Sequence, residues 1–522
     1  MKRLLICLIF VFALFRIGSA QTLGEHQVMV VYDSRVADSV LVAEHYAGSS
    51  KVPGGAGGEP GLHPGVLVFD LASAGIPITA TNGTIMYPDY LAQIRDPIRA
   101  HLIANDLVYR VRSLVLCKGL PHRIDDPNNP GIGDQPGQFG SLWVSGHAVS
   151  ASVDSELVML WQDLNETQVD AFRTADGGYI RSPMWRKSRP INTWTNKNIR
   201  VQKRWAFLVS GNALRTIGDD PTKLLTPGDM LLVCRLDGHS VADVIAMLDR
   251  AQNVVYDVDN SAFVLDESDS NGVADTDPNN ELDNINDPLS KDDDYEVTRD
   301  ILLADGRFDP ALVHYDAERT VSHFSVGPNV DFGGQGLLIT DPLILLTHYG
   351  RNHIGRPSDV ELYEESFNLR PGAVFSTMES FNGRAFNGLG TLVQQGQVSD
   401  FIASGGTFGI GMVWEPFAQT VPDSNRIVRN FMLGGLTWAE AAYTAIPAIS
   451  WMHVVIGDPL ARPILSSDDI NGDGRVDIED LYAFEANPVD INRDGVADNT
   501  DRQLLTDSIR VPLQQTFDYG RR

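Results

Sequence analysis

Cysteine is nearly absent: Cys7, Cys117 and Cys234 are the three in 522 residues. That scarcity excludes a disulfide-rich scaffold, and the lack of any C-x-x-C pair excludes a dithiol redox site. Cys7 lies in the N-terminal apolar segment. Cys117 and Cys234 sit inside the apolar runs VRSLVLCKG and GDMLLVCRLDG, which suits buried strand thiols, with a single disulfide as the alternative. H-E-x-x-H, G-x-S-x-G and Walker motifs are also missing, so zinc-protease, α/β-hydrolase and nucleotide-enzyme readings fall away. Cations are few, with 41 Lys and Arg against 68 Asp and Glu, a net charge of -27. Nucleic acid and anionic membranes are held through cationic groups on phosphate, so neither is an expected partner.

Long apolar runs are confined to the N-terminus. Lys2 and Arg3 precede an apolar stretch from Leu4 to Phe15, and Gly18, Ser19 and Ala20 offer small residues for cleavage. Residues 1–20 therefore read as a secretory signal, with the mature chain starting at Gln21 and an uncleaved anchor as the alternative. No other stretch is long and apolar enough to cross a bilayer, and the expected location is extracellular or at the cell surface.

What the chain has in abundance is clustered oxygen. DINGDGRVDIED begins at Asp469 and DINRDGVADNTD at Asp490, each following the twelve-residue EF-hand grammar. The expected Ca2+ ligands of the first loop are Asp469, Asn471, Asp473, the Arg475 carbonyl, Asp477 and Asp480. Those of the second are Asp490, Asn492, Asp494, the Val496 carbonyl, Asp498 and Asp501. Gly474 and Gly495 occupy the sharp-turn position that lets several carboxylates converge on one hard cation. Position 12 is Asp in both, where intracellular sensors usually carry Glu.

That Asp, with the duplication, resembles the dockerin type I repeat over residues 466–512, with 513–522 as a tail. The resemblance implies a small paired EF-hand-like α module and a cohesin-like domain as partner. One departure concerns the docking face: only nine residues separate Asp480 from Asp490, so the helix from about Glu479 to Ala486 is short and stops before Pro488.

A further acid-rich stretch, residues 264–297, has Lys291 as its only cation and is too polar to form a core. Within it Glu267, Asp269, Asn271 and Asp275 match positions 1, 3, 5 and 9 of a third calcium loop, but position 12 is Pro278. Either a third site or a plain acidic insertion accounts for it.

Between these features, residues 21–465 alternate strand with helix. VMVVYD at 28–33, GVLVFDL at 65–71, the run at 111–117 and LLVCRLD from 231 read as strands. Helices are expected from about Asp38, with Val40, Leu41, Ala43 and Ala47 on one side, from Tyr87 to Asn105, and after 240, with Val241, Val244, Ile245 and Leu248 at helical spacing. Continuous apolar strands separated by helices predict a three-layer α/β sandwich with a mainly parallel sheet, whose ligands sit beyond the strands' carboxyl ends.

The blocks LVLCKGLPHRI, CRLDGHSVADVIAMLDRA, PGAVFSTMESFNG, GMVWEPFAQ and LGGLTWAEAAYTAIPAISWMHVVIGDPLARP resemble a family of exported bacterial proteins of unknown function, across nearly all of residues 26–465. More distantly, the strand order and the closing GDP segment resemble gingipain-type cysteine peptidases of the caspase-like fold. That likeness implies a His after one strand and a Cys after the next. His348 takes the first position, with His353 as its alternative. At the second this chain has Ser380, or its neighbour Glu379, and no Cys. A Ser hydroxyl needs a base and an oxyanion hole, so peptidase activity is not inherited with the resemblance. In the catalytic reading His348 is the base for Ser380, and Gly383 offers a backbone donor.

Other candidates are the strand-end carboxylates Glu379, Glu415 and Asp458, whose bland role is to cap helices. Lys118, His122 and Arg123 form a small basic rim. Residues 185–205 interleave Trp185, Trp194 and Trp205 with Arg and Lys, which fits a sugar or acidic polysaccharide, or a clamp on the chain's own acids. Two functions remain: a secreted calcium-binding protein whose module attaches an α/β body to an assembly, or an extracellular hydrolase, peptidase-like or polysaccharide-degrading.

Overall fold

The computed structural model describes residues 22–52, 58, 60–125, 151–162, 178–194, 204–210, 213–217, 222–258, 260–266, 295–316, 324–348, 362–386, 396–414, 416, 420–466, 468–473, 476–491, 496–506 and 509. The expected signal, the third calcium loop with Glu267, Asp269, Asn271 and Asp275, and the residues His353, Glu415, Arg475, Asn492 and Asp494 lie outside them.

A ten-stranded sheet forms the centre. In chain order its strands are β1 (Val28–Tyr32), β2 (Leu67–Asp70), β3 (Ser113–Cys117), β4 (Leu232–Leu236), β5 (Ala262–Asp266), β6 (Val313–Asp316), β7 (Leu343–His348), β8 (Leu369–Ser376), β9 (Phe408–Met412) and β10 (His453–Ile456). Across the sheet they lie in the order β6-β5-β7-β8-β9-β10-β4-β3-β1-β2. Every neighbouring pair is parallel except β9 with β10.

The order resolves into two halves of the same topology. Strands β1 to β4 with β10 run 2-1-3-4-5 from the edge inwards, and β5 to β9 do the same from the opposite edge. The second half is thus inserted in the chain between the fourth and fifth strands of the first. Because β9 and β10 pair antiparallel, with Met412 opposite His453, the two halves point their carboxyl ends at opposite edges of the sheet. An order of 2-1-3-4-5 places a topological switch point between the first and third strands of each half. In the second half that point lies between β5 and β7, where Asp266 and His348 are register partners.

Burial explains why these strands form. All five residues of β1, β3, β4, β5 and β9 are buried, as strands covered on both faces must be, whereas edge strand β6 is half-buried throughout. Each fully buried Val or Leu contributes about 2 kcal/mol of transfer free energy. Helices α1 (Ala37–Ala47), α2 (Val241–Ala251) and α4 (Val398–Ala403) make one packed set, α1 and α4 both touching α2. Helices α3 (Tyr295–Asp305) and α5 (Trp438–Ala445) make another through the helical segment 424–432. The result is consistent with three layers.

Local signals account for several ends. Ser240 Oγ accepts from the Asp243 amide while Asp243 returns to the Ser240 amide, a capping box that starts α2. Thr437 and Glu440 start α5 likewise, and Glu440 also accepts from the amides of Leu23 and Ile191. Two expectations need correction. Leu41 is 46% exposed, because α1 turns Ser39, Val40, Val42, Ala43, Tyr46 and Ala47 inward instead. The helix from Tyr87 is interrupted by a π segment, Leu91–Arg95, before continuing as Asp96–Ala104.

Cys117 and Cys234 are free, buried thiols on adjacent strands. Their register partners are Leu236 and Val115, so they do not face each other. After β10 the strand Ile464–Ser466 pairs with Val255–Asp257, and the chain enters the first calcium-type loop and helix α6 (Ile478–Ala486). A last helix covers 499–506. No helix among the described residues is long and apolar enough to cross a membrane.

Candidate functional site

His348 ends β7 with its side chain completely buried. Its Nε2 lies 3.3 Å from Glu364 Oε1, on a short helical turn (Glu364–Ser366), and its ring packs on Tyr363 with centroids 4.6 Å apart. Glu379, three residues beyond the end of β8, completes the group: His348, Glu364 and Glu379 are all buried and bring ligand atoms within 4.8 Å of one another. Burial pushes His348 down to about 4, with the Glu379 charge opposing.

The catalytic pairing expected from the sequence is not formed. Neither ring nitrogen of His348 makes a hydrogen bond among the described residues, so His348 does not serve Ser380 as a base in this arrangement. Ser380 lies next to Phe381, whose φ of 58° turns the chain so that its amide donates to the Trp414 carbonyl. Asn382 braces the turn, donating to Thr377 Oγ1 at 2.8 Å and accepting from the Met412 amide at 2.5 Å. Gly383, the expected oxyanion donor, gives its amide to the Met412 carbonyl at 2.9 Å. It must be Gly because an added Cβ would sit 2.9 Å from the Gly411 carbonyl carbon. What the sequence missed is Glu364, sixteen residues from His348 by chain position yet with its Oε1 3.3 Å from the imidazole Nε2.

The remaining strand-end groups are placed apart. Glu379 follows β8 and Asp458 follows β10, at opposite edges of the sheet, so they cannot act as one acid and base pair. Asp458 instead accepts from Tyr46 Oη at 2.8 Å and meets His63 Nε2 at 2.7 Å. Lys118 is spent on Asp237 and the carbonyls of Gly238 and Phe386, and His122 Nε2 lies 2.7 Å from the Arg384 carbonyl. The basic rim is therefore internal bracing. In the aromatic strip, Trp185 and Arg186 both bond Asp423 Oδ2, at 2.7 and 3.1 Å, and Arg189 stacks on Trp194. Beside them a cleft of about 400 Å³ is lined by Trp185, Trp194, Lys187, Arg181 and Phe207.

The described ends of the two calcium-type loops share one hydrogen-bond pattern. In the first, Asp480 Oδ1 accepts from the Ile470 amide at 2.8 Å and Oδ2 from the Asp477 amide at 2.8 Å, while Asp477 Oδ1 accepts from Glu479. In the second, Asp501 Oδ1 accepts from Ile491 at 2.8 Å and Oδ2 from Asp498 at 2.8 Å, while Asp498 Oδ1 accepts from Thr500. Asp473 donates its amide to Asp469 Oδ1 and Asn471 Oδ1, drawing positions 1, 3 and 5 together. Asp480 and Asp501 are fully buried within their loops. Burial first, with the neighbouring Asp469 charge adding, holds Asp480 above the usual carboxylate range despite its amide partners. The donors are all oxygen, which suits a hard cation such as Ca2+.

No protein-family model matches the chain, and no curated protein matches it.

Proposed function

We propose that this is a secreted calcium-binding protein whose C-terminal, dockerin-like module attaches the α/β body to an extracellular or cell-surface assembly. The observation that carries the reading is the repetition of one hydrogen-bond pattern around Asp480 and Asp501, on loops whose sequences both follow the calcium grammar. In the first loop Asp469, Asn471, Asp473, the Arg475 carbonyl, Asp477 and Asp480 would hold the ion. In the second the holders would be Asp490, Asn492, Asp494, the Val496 carbonyl, Asp498 and Asp501.

The attachment half of the proposal draws on surface chemistry. Ile478 and Tyr482, four residues apart on one face of α6, are 48% and 62% exposed, a larger apolar outlay than a solvent-facing helix needs. The occupant we assign is a cohesin-like domain. A cohesin-like domain immobilised in millimolar calcium is expected to retain the full chain and release it under chelator. Failure to retain it, with both loops still taking up calcium, removes the docking half and leaves the binding half standing. The hydrolase alternative finds no support in the His348 and Ser380 geometry.

A further inference from the structure

We propose that His348, Glu364 and Glu379 form a binding site for one divalent transition metal, separate from the calcium loops and best matched by zinc. Their ligand atoms already converge within 4.8 Å. Donor atoms on one zinc ion lie about 2 Å from it and so up to about 4 Å from each other, a gap that rotation of either Glu closes.

The independent observation is His348 itself. Its side chain is wholly buried, its Nε2 faces Glu364 at 3.3 Å, and neither ring nitrogen hydrogen-bonds among the described residues. A buried imidazole ordinarily satisfies at least one nitrogen, because leaving a polar group dry and unbonded costs about 1–3 kcal/mol. A metal ion supplies the missing partner. Two carboxylates close together in a dry interior also repel one another, and a dication between them neutralises both.

Donor type selects the ion. One imidazole nitrogen with carboxylate oxygens suits zinc, whereas calcium takes six to eight oxygens. Position supports the site too, since His348 lies at the carboxyl end of β7 beside Asp266, at the switch point of the second half, where sheets of this order bind ligands. Space for the Glu364 carboxylate is reserved by Gly396: a Cβ there would stand 1.4 Å from Glu364 Oε1. This inference is independent of the calcium reading.

The test uses the full chain, stripped with chelator, refilled with excess calcium and titrated with zinc. One tightly held zinc per chain is expected, with His348→Ala and Glu379→Gln each weakening it more than about 100-fold, since even changes outside the ligand shell cost about 10–100-fold. Zinc-edge X-ray absorption on the unaltered protein covers the case in which a variant fails to fold. A shell containing one imidazole and carboxylate oxygens supports the site. A shell of oxygens alone, a shell with two or more imidazoles, or no retained zinc overturns it.

Discussion

Arg370 Nη1 meets Asp469 Oδ2 at 3.0 Å, and both side chains are buried. Arg370 belongs to β8, at the heart of the second half, and Asp469 is the first ligand position of the first calcium-type loop. One ion pair thus ties the terminal module to the body. Removing one partner of a buried pair costs about 3–5 kcal/mol, because the other charge is left in a dry site. Arg370→Met is expected to show that loss in thermal unfolding without calcium. Millimolar calcium should recover most of it, as the ion takes over neutralisation of Asp469. An equal loss with and without calcium contradicts the assignment of Asp469 as a ligand.

A second buried pair holds the first half. Arg235 Nη2 lies 2.7 Å from Asp154 Oδ2, and its other donors reach the carbonyls of Leu120 and Pro121. Asp154→Ala removes the closer of the guanidinium's two carboxylates and leaves Asp237, 3.5 Å from Nη1, as the remaining one. A loss of about 3 kcal/mol, at the low end for a broken buried pair, is therefore expected in denaturant unfolding. A change below about 1 kcal/mol is contrary to this account.

His63 makes stability depend on pH. Burial alone would lower it, but Asp458 and Glu25 outweigh that and lift it to about 9. Unfolded, it titrates at about 6.5. The pair's contribution is therefore complete below about 6.5 and lost as pH rises through about 9, roughly 3 kcal/mol in all. Asp458 is held low despite its burial, so its own contribution is present above the ordinary carboxylate range and lost as pH falls below it. Unfolding of the parent and of His63→Leu, compared between pH 6 and 10, should converge at the alkaline end. A difference that grows with pH is the opposite sign and contradicts the pair.

Much of the body is legible in local sequence. The unbroken apolar run of β1 and the mainly apolar runs of β3 and β4, interrupted by Ser113 and Arg235, announce burial on both faces, and Ser240 with Asp243 marks where α2 begins. The two halves are not legible. Strand neighbours such as β4 with β10 are set by contacts across more than two hundred residues of chain, which no periodicity records. The His348 group was half visible: LILLTH and VFSTMES each end an apolar run on a polar residue at a strand's carboxyl end. Glu364 carried no such signal, since its turn, YEES, reads as an ordinary polar connection and only packing brings it to the imidazole.

Calorimetric titration of the full, chelator-stripped chain with calcium tests the central claim most directly. Two equivalents are expected to bind, and Asp480→Ala, which removes the carboxylate that closes the first loop, should reduce the count to one. Absence of calcium uptake by the parent chain, or an unchanged count of two in Asp480→Ala, contradicts it.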